Sequence, residues 1–293
     1  MNRVIIQGWI HRADHTVKSM HILWSDGRSS QIERINQPCP DLGLSADCRF
    51  EFTGTLDPLP PMEDYKLIVL WDDLECTIIK YLDIISYWDV TSPRRKMLQR
   101  FLDEIKSPSY ESILEIGSRA RSGNTHKHLF EGKKYIGFDI LKGVNVDIVG
   151  DAHRLSDHFA PGSIDAIFSM STFEHLVMPW KVVLEMNRVL RGRGLVLLST
   201  HQTLGLHDMP WDFWRFSDTA WRALFNQYTG FEILDAALED GMYLVPFRYL
   251  SLWKDFEKSA GWSSSWVLAR KTGDTKLQWQ VPASDIVCGM YPG

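Results

Sequence analysis

Between His207 and Ser217 the chain reads HDMPWDFWRFS, and its first two residues are the pair best suited to moving a proton. A neutral imidazole with an ordinary pKa of about 6.5 can accept a hydroxyl proton at neutral pH, and an adjacent carboxylate can orient that ring or hold a divalent ion. His207 is therefore the candidate base and Asp208 its helper. His201, at the end of the strand-like run GLVLLST, is the substitute base. A charge buried in such a stretch needs a partner, so Asp212 and Arg215 read as an internal pair that shapes the loop. Phe213 and Phe216 read as cover for a sheet end, and Ser217 as the cap of a helix carrying Trp221, Leu224 and Phe225.

A second group lies upstream, in ILEIGSRARSGNTHKHLF, where a hydrophobic strand ends in Glu115 and the following loop carries Gly117 and Gly123. Glycines at a strand-to-helix turn let the backbone approach a ligand, and a helix expected to begin near Asn124 would offer unpaired N–H groups. Asp139 ends the next strand, YIGFD, 24 residues after Glu115, close to the ~20-residue offset at which an acid reaches ribose hydroxyls in dinucleotide folds. Asp151, in VDIVGDAHRL, closes a third strand. These acids would share the carboxyl edge of one sheet. A negative rim suits a cofactor with ribose hydroxyls, an amine and a cationic centre better than one with phosphates. It disfavours NAD and ATP, and it favours S-adenosylmethionine.

The elements that must position these groups fall into two textures. Through about Tyr81 the apolar residues alternate in short runs broken by SDGRSS and DPLPPMED, which predicts a small all-β domain of about six strands. From TSPRRKMLQRFLDEIKS the period becomes helical, with Ser92 as N-cap and Pro93 at the first helical position. Strand-like runs then alternate with helical ones such as PWKVVLEMNRVL, the signature of a doubly wound, mainly parallel sheet. The expected fold class is α/β, a Rossmann-like doubly wound sheet with a small N-terminal β-sandwich. The expected boundaries are 1–85 for the β domain, 86–107 for a connecting helix, 108–271 for the cofactor-binding domain and 272–293 for a C-terminal tail.

Taken in order, ExGxxxxxG at Glu115–Gly123, GFD ending at Asp139, GDA ending at Ala152, IDAIFSMSTFEHL and MNRVLRGRGLVLLST resemble the class I S-adenosylmethionine-dependent methyltransferases over residues 108–271. The resemblance implies that Glu115, Gly117, Ser118 and Gly123 form the loop at the methionine end of the cofactor. It implies that Asp139, followed by Ile140, binds the ribose hydroxyls, and that Asp151 and Ala152 flank the adenine. Ser169 and Met170, with Glu174 and His175 beyond them, would lie near the transferred methyl group, which makes His175 a third catalytic candidate. One position departs from the family: its second glycine is Arg119 here. The HDxPWDFWRFS form resembles methyltransferases that decorate polysaccharides and glycosides, which implies O-methylation of a sugar hydroxyl. Methylation of a small aromatic, a lipid or a nitrogen, and an inactive glycan-binding or assembly protein, are the alternatives.

Composition narrows the partners. A net charge of -5 and few basic residues in the β domain argue against nucleic acid and against an OB-fold RNA-binding role. Neither a signal peptide nor a membrane-spanning run is present, so a cytoplasmic location is expected. Cys39, Cys48, Cys76 and Cys288 lack ligand spacing and read as reduced thiols, with no metal site specified. A homo-oligomer is left open, with packing as a second role for the β domain.

Overall fold

A computed structural model describes residues 2–38, 47–58, 60, 65–80, 92–121, 123, 125–243 and 260–287. The chain divides into two compact units, 1–91 and 92–293. In the first, β1 (Asn2–Trp9), β4 (Arg34–Gln37) and β5 (Arg49–Leu56) form one antiparallel sheet in the order β1-β5-β4. The second sheet is β3 (Ser29–Ile32), β2 (Val17–Leu23), β6 (Lys66–Trp71) and β7 (Cys76–Lys80) in that order. Val4, Ile6, Phe50 and Phe52 of one sheet and Met20, Ile22, Trp24 and Val69 beside or within the other bury into one core. QIERI spans two strands: the chain breaks at exposed Glu33 and passes from one sheet to the other. Cys48 and Cys76 are free thiols, whereas Cys39 and Cys288 lie outside the described residues.

The second unit is built on a seven-stranded sheet. Its strands are β8 (Ser112–Ile116), β9 (Lys134–Asp139), β10 (Ile148–Val149), β11 (Ile164–Met170), β12 (Leu190–His201), β13 (Phe231–Tyr243) and β14 (Ala260–Lys271). The order is β10-β9-β8-β11-β12-β14-β13, parallel through the first five and antiparallel at β14 and β13. Every residue of β8 is buried, as expected of a parallel strand covered on both faces. Strand order reverses between β8 and β11, and doubly wound sheets open a ligand crevice at the carboxyl ends of such a pair. No helix among the described residues is long and apolar enough to cross a membrane.

The segment expected to connect the domains packs inside the second unit. Ser92 caps α1 (Pro93–Ile105) by accepting from the Arg95 N–H, and Met97, Phe101 and Ile105 repeat at helical spacing. They pack with Phe168, Leu195, Leu197 and Leu268 of the sheet. On the other face, α2 (Pro179–Val189) buries Val182, Val183, Met186 and Val189 in the largest core cluster. Residues beyond β14 also pack: Lys181 donates to the Val281 carbonyl, and Ala283 is buried with Val177 and Met178.

Asp165 ties β11 to the start of β8. Its carboxylate accepts from the Glu111 N–H at 2.9 Å, the Ser112 N–H at 2.8 Å and the Ser112 hydroxyl at 2.9 Å, and pairs with Arg191 at 2.6 Å. Burial pushes its pKa up, but these donors outweigh burial and hold it below the ordinary value. The stabilisation is therefore complete above the unfolded pKa of about 3.9 and is lost as pH falls through the lower folded value. Asp165→Ala is expected to cost about 2 kcal/mol at neutral pH. Urea unfolding should show the gap to wild type closing under acid; a gap constant through the acid range contradicts this linkage.

Candidate active site

A cavity of about 910 Å³ opens at the carboxyl ends of β8, β9 and β11. Its first wall is the loop after β8. Gly117 has φ +78, and a Cβ there would lie 1.9 Å from the Thr172 hydroxyl oxygen, so this position admits only glycine. The N–H groups of Gly117 and Ser118 both donate to the Phe138 carbonyl, at 2.8 and 3.2 Å. That turn brings Ser118 and Arg119 to the end of β9, where the Asp139 carboxylate accepts from the Arg119 N–H at 3.3 Å and the Leu141 N–H at 2.9 Å. Arg119 lays its side chain against Gly143 and brings Nε to 3.6 Å from Asp139. The loop is held open by Asn145, whose amide donates to the Ser118 carbonyl at 2.9 Å.

Of the residues expected to hold a cofactor, Glu115, Gly117, Ser118, Asp139, Ile140, Ala152 and Met170 line the cavity. Three do not. Asp151 spends its carboxylate capping the turn Ala152–Asp157, where it accepts from the His153 N–H and contacts the His153 ring at 2.6 Å. Ser169 is fully buried and donates to the Ile116 carbonyl at 2.7 Å, which locks β11 to β8. Gly123, at φ +80, closes a turn onto the Ala120 carbonyl. Glu115 reaches the cavity with both oxygens engaged, one by His126 at 2.8 Å and the other by the Tyr135 hydroxyl. Burial and this carboxylate push the Tyr135 phenol well above its ordinary pKa, so it remains a donor. Asn124, expected to start a helix, lies outside the described residues. The chain beyond it forms a single 3₁₀ turn, Lys127–Phe130, because Gly132 at φ +78 ends it before β9.

The second wall brings together the catalytic candidates. Glu174 and His175 sit on the turn after β11, His201 ends β12, and His207 and Asp208 come from the loop beyond it. Their rings pack edge to face, with centroids 4.9 Å apart for His175 and His207 and 5.3 Å for His201 and His207. The His175 Nδ1 lies 2.6 Å from the Trp211 carbonyl. A carbonyl only accepts, so Nδ1 carries a proton, and Nε2 faces Glu174 and Asp208, 3.7 and 3.8 Å away. Asp208 was expected to assist His207. Instead it pairs with Arg121 and faces His175, while His207 is held by the Gly205 carbonyl at 3.1 Å and Asp212.

Glu174 lies at the centre of this group and is fully buried. Burial alone would raise its pKa, but the His201 imidazole and the Thr200 hydroxyl outweigh it and keep the carboxylate ionised. The same contact with Glu174 raises the pKa of His201. Around it, the HDMPWDFWRFS loop is pinned by backbone bonds: the N–H groups of Phe213 and Trp214 donate to the Glu174 carbonyl, and that of Phe216 to the His201 carbonyl. Phe216 stacks on buried Trp221, and Ser217 accepts from the Ala220 N–H at the start of α3 (Ala220–Leu224). Sequence reading missed Thr172 and Arg121. Each acts through a backbone approach or a contact between distant loops, which residue type alone does not announce.

Residues 114–198 match the family described as a methyltransferase domain. No curated protein matches. Solved structures similar to this chain include an S-adenosylmethionine-dependent methyltransferase from Archaeoglobus fulgidus, at 15% identity over 64% of this chain and 99% of that one, with a TM-score of 0.42. A second is a putative methyltransferase from Bacillus halodurans C-125, at 13% identity over 60% and 98% of the two chains, TM-score 0.43. The [4+2]-cyclase SpnF is similar at 14% identity over 60% and 80%, TM-score 0.41.

The second unit thus contains the stretch, residues 114–198, that matches a methyltransferase domain. S-adenosylmethionine is the cofactor that this fold supports, and the residues present fit it. Asp139 offers its carboxylate at a strand end, and the buried Ser118 hydroxyl, in the cavity wall, has no hydrogen-bond partner among the described residues.

Proposed function

We propose that this protein methylates a hydroxyl oxygen of a sugar or glycoside. The observation that carries the reading is the convergence of His175, His201 and His207 on Glu174 in the wall of the cavity that Gly117 and Asp139 also line. S-adenosylmethionine supplies a methyl group on a cationic sulfur, which a nucleophile can take by in-line displacement. What the chain must add is alignment, exclusion of water and removal of the hydroxyl proton. Asp139 would hold the ribose hydroxyls, and the backbone at Gly117 and Ser118 the methionine end. His175 is the proton acceptor that best fits, because its ring is fixed through Nδ1 by the Trp211 carbonyl and the two carboxylates beside Nε2 would stabilise an imidazolium. His207 and Asp208, the first candidates from sequence, would then border the acceptor oxygen rather than form a base and its helper. Trp211 in the cavity wall offers an indole that packs well against the apolar face of a sugar ring.

The test is a screen of sugars, glycosides, phenols, lipids and amines with a methyl-labelled donor. Label in a sugar hydroxyl supports the reading; label only in a phenol, lipid or amine replaces the acceptor class. Calorimetry with S-adenosylhomocysteine should show binding, and its absence together with no turnover would favour an inactive assembly or glycan-binding protein. Asp139→Ala is expected to lose hydrogen bonds to a charged acceptor, about 1.5–3 kcal/mol, and so to weaken S-adenosylhomocysteine by roughly 10- to 100-fold without loss of fold. Unchanged affinity would remove Asp139 from the cofactor site.

A further inference from the structure

The two oxygens of Glu174 are treated differently. Oε2 accepts from the Thr200 hydroxyl, whereas Oε1, equally buried, accepts no hydrogen bond of good geometry from any described residue. Around Oε1 stand three imidazole Nε2 atoms, of His201 at 3.1 Å, His175 at 3.7 Å and His207 at 3.8 Å. A buried anionic oxygen is costly unless a cation, whether a protonated imidazole or a bound metal ion, compensates it. One donor atom each from Glu174, His201 and His207 lies within 4.8 Å of the others. Two ligands bound to a common ion at about 2.0–2.1 Å stand roughly 3–3.5 Å apart. The 3.1 Å edge already meets that spacing, and the 3.8 Å edge meets it after a small rotation of His207.

The groups behind Glu174 and His207 match what a metal-bound carboxylate and imidazole require, whereas the buried His201 Nδ1 has no hydrogen-bond partner among the described residues. A ligating histidine generally donates its other ring N–H to a carbonyl or carboxylate. His207 does so, with Nδ1 3.1 Å from the Gly205 carbonyl and 3.4 Å from Asp212, which leaves Nε2 as the ligand atom. Thr200 fixes the far oxygen of Glu174. No ligand spacing in the sequence announces this group, because its members come from the turn after β11, the end of β12 and the loop beyond.

We propose that Glu174, His201 and His207 bind one divalent transition-metal ion, with the remaining coordination positions open to the cavity. Two imidazoles and a carboxylate suit Zn2+, Mn2+, Fe2+ or Co2+ better than Mg2+, which prefers an all-oxygen shell. Binding of the ion stands on these residues alone; its role rests on the function proposed above. Adjacent sugar hydroxyls would take the open positions, and the ion would lower the pKa of the oxygen to be methylated. The O–H bond breaks with its proton passing to the His175 Nε2. The oxygen lone pair forms the new bond to the methyl carbon, and the carbon–sulfur pair leaves with sulfur.

The experiment is titration of the chelator-stripped protein with Co2+ alone, with neither donor nor acceptor present. Wild type should bind one Co2+ per chain with visible ligand-field absorption that Zn2+ displaces. Glu174→Gln and His207→Ala should each weaken binding by about 100-fold, at or beyond the upper end of the loss seen when a group behind a ligand is removed. His15→Ala, in the partly exposed His15, Asp72 and Asp73 group of the first unit, should change nothing. Absence of stoichiometric binding, binding that survives both cavity variants, or binding lost with His15→Ala overturns the site. Thermal melting identifies a variant that is merely unfolded, and the loop variant His207→Ala is decisive if Glu174→Gln fails to fold. Calorimetry with S-adenosylhomocysteine on the same samples separates the two readings. Cofactor binding without Co2+ binding overturns the ion alone, while Co2+ binding without cofactor binding upholds the ion and overturns the transfer reaction.

Discussion

His175→Ala is expected to lower kcat for methyl transfer by about 10²–10⁴-fold, the range for loss of a general base, with affinity for S-adenosylhomocysteine unchanged within about twofold. The separation follows from position. His175 stands with Glu174, Asp208 and His207, whereas the groups that fit the cofactor come from the loop after β8 and the end of β9. Its hydrogen bond to the Trp211 carbonyl anchors the ring, so Nε2 is placed before an acceptor arrives. Alanine leaves room for a small base, and added imidazole should restore part of the turnover. A purely structural role predicts the opposite pattern, a lowered melting temperature with no rescue. The variant is assayed with the acceptor that the screen identifies, and turnover equal to wild type would exclude His175 as the base.

The parts of the fold legible in sequence are those governed by local periodicity. Residues 112–116 and 164–170 are short runs made mostly of apolar residues, and both are central strands. The helical repeat of Met97, Phe101 and Ile105 behind a Ser-Pro cap is α1. By contrast β13 and β14 escaped notice. FEILDAALEDGMY alternates only until its register shifts between Ile233 and Asp235, and LDAAL within it has helical character. GWSSSWVLARK opens on serines whose strand character comes from pairing with β12, not from propensity.

The site divides in the same way. Acids and glycines at strand ends were legible because the fold dictates which edge they face, so Gly117 and Asp139 lie in the cavity wall. Asp151 and Ser169 were assigned to that wall by proximity to it, and local hydrogen bonds claimed their side chains instead. A cap or an interstrand tie is invisible to motif spacing, because it depends on which backbone group happens to be unpaired. The pairing of catalytic candidates was also beyond sequence. Neighbours in the chain, His207 and Asp208 diverge: Asp208 has φ +52, which turns it toward Arg121 and His175.

The other large effect should come from Arg215, which touches neither proposed ligand. Its guanidinium grips Asp212 at 2.5 and 2.8 Å and donates to the carbonyls of Leu204, Gly205 and Trp214. The Asp212 side chain is fully buried, held far below its ordinary pKa chiefly by Arg215, and it accepts from the His207 N–H. Arg215→Ala would therefore leave a buried carboxylate without its cation. Such losses cost about 3–5 kcal/mol, and the lower end is expected because Arg215 is itself 24% exposed. Stability measured by urea unfolding should fall accordingly. Turnover should fall with it, because Gly205 and Asp212 set the orientation of His207. Truncating both partners removes the unpaired charge, so Asp212→Ala combined with Arg215→Ala should be more stable than Arg215→Ala alone, yet remain as inactive. If instead the double variant loses the sum of the two single losses, the pair is not coupled, and the carbonyl contacts of Arg215 alone shape the loop.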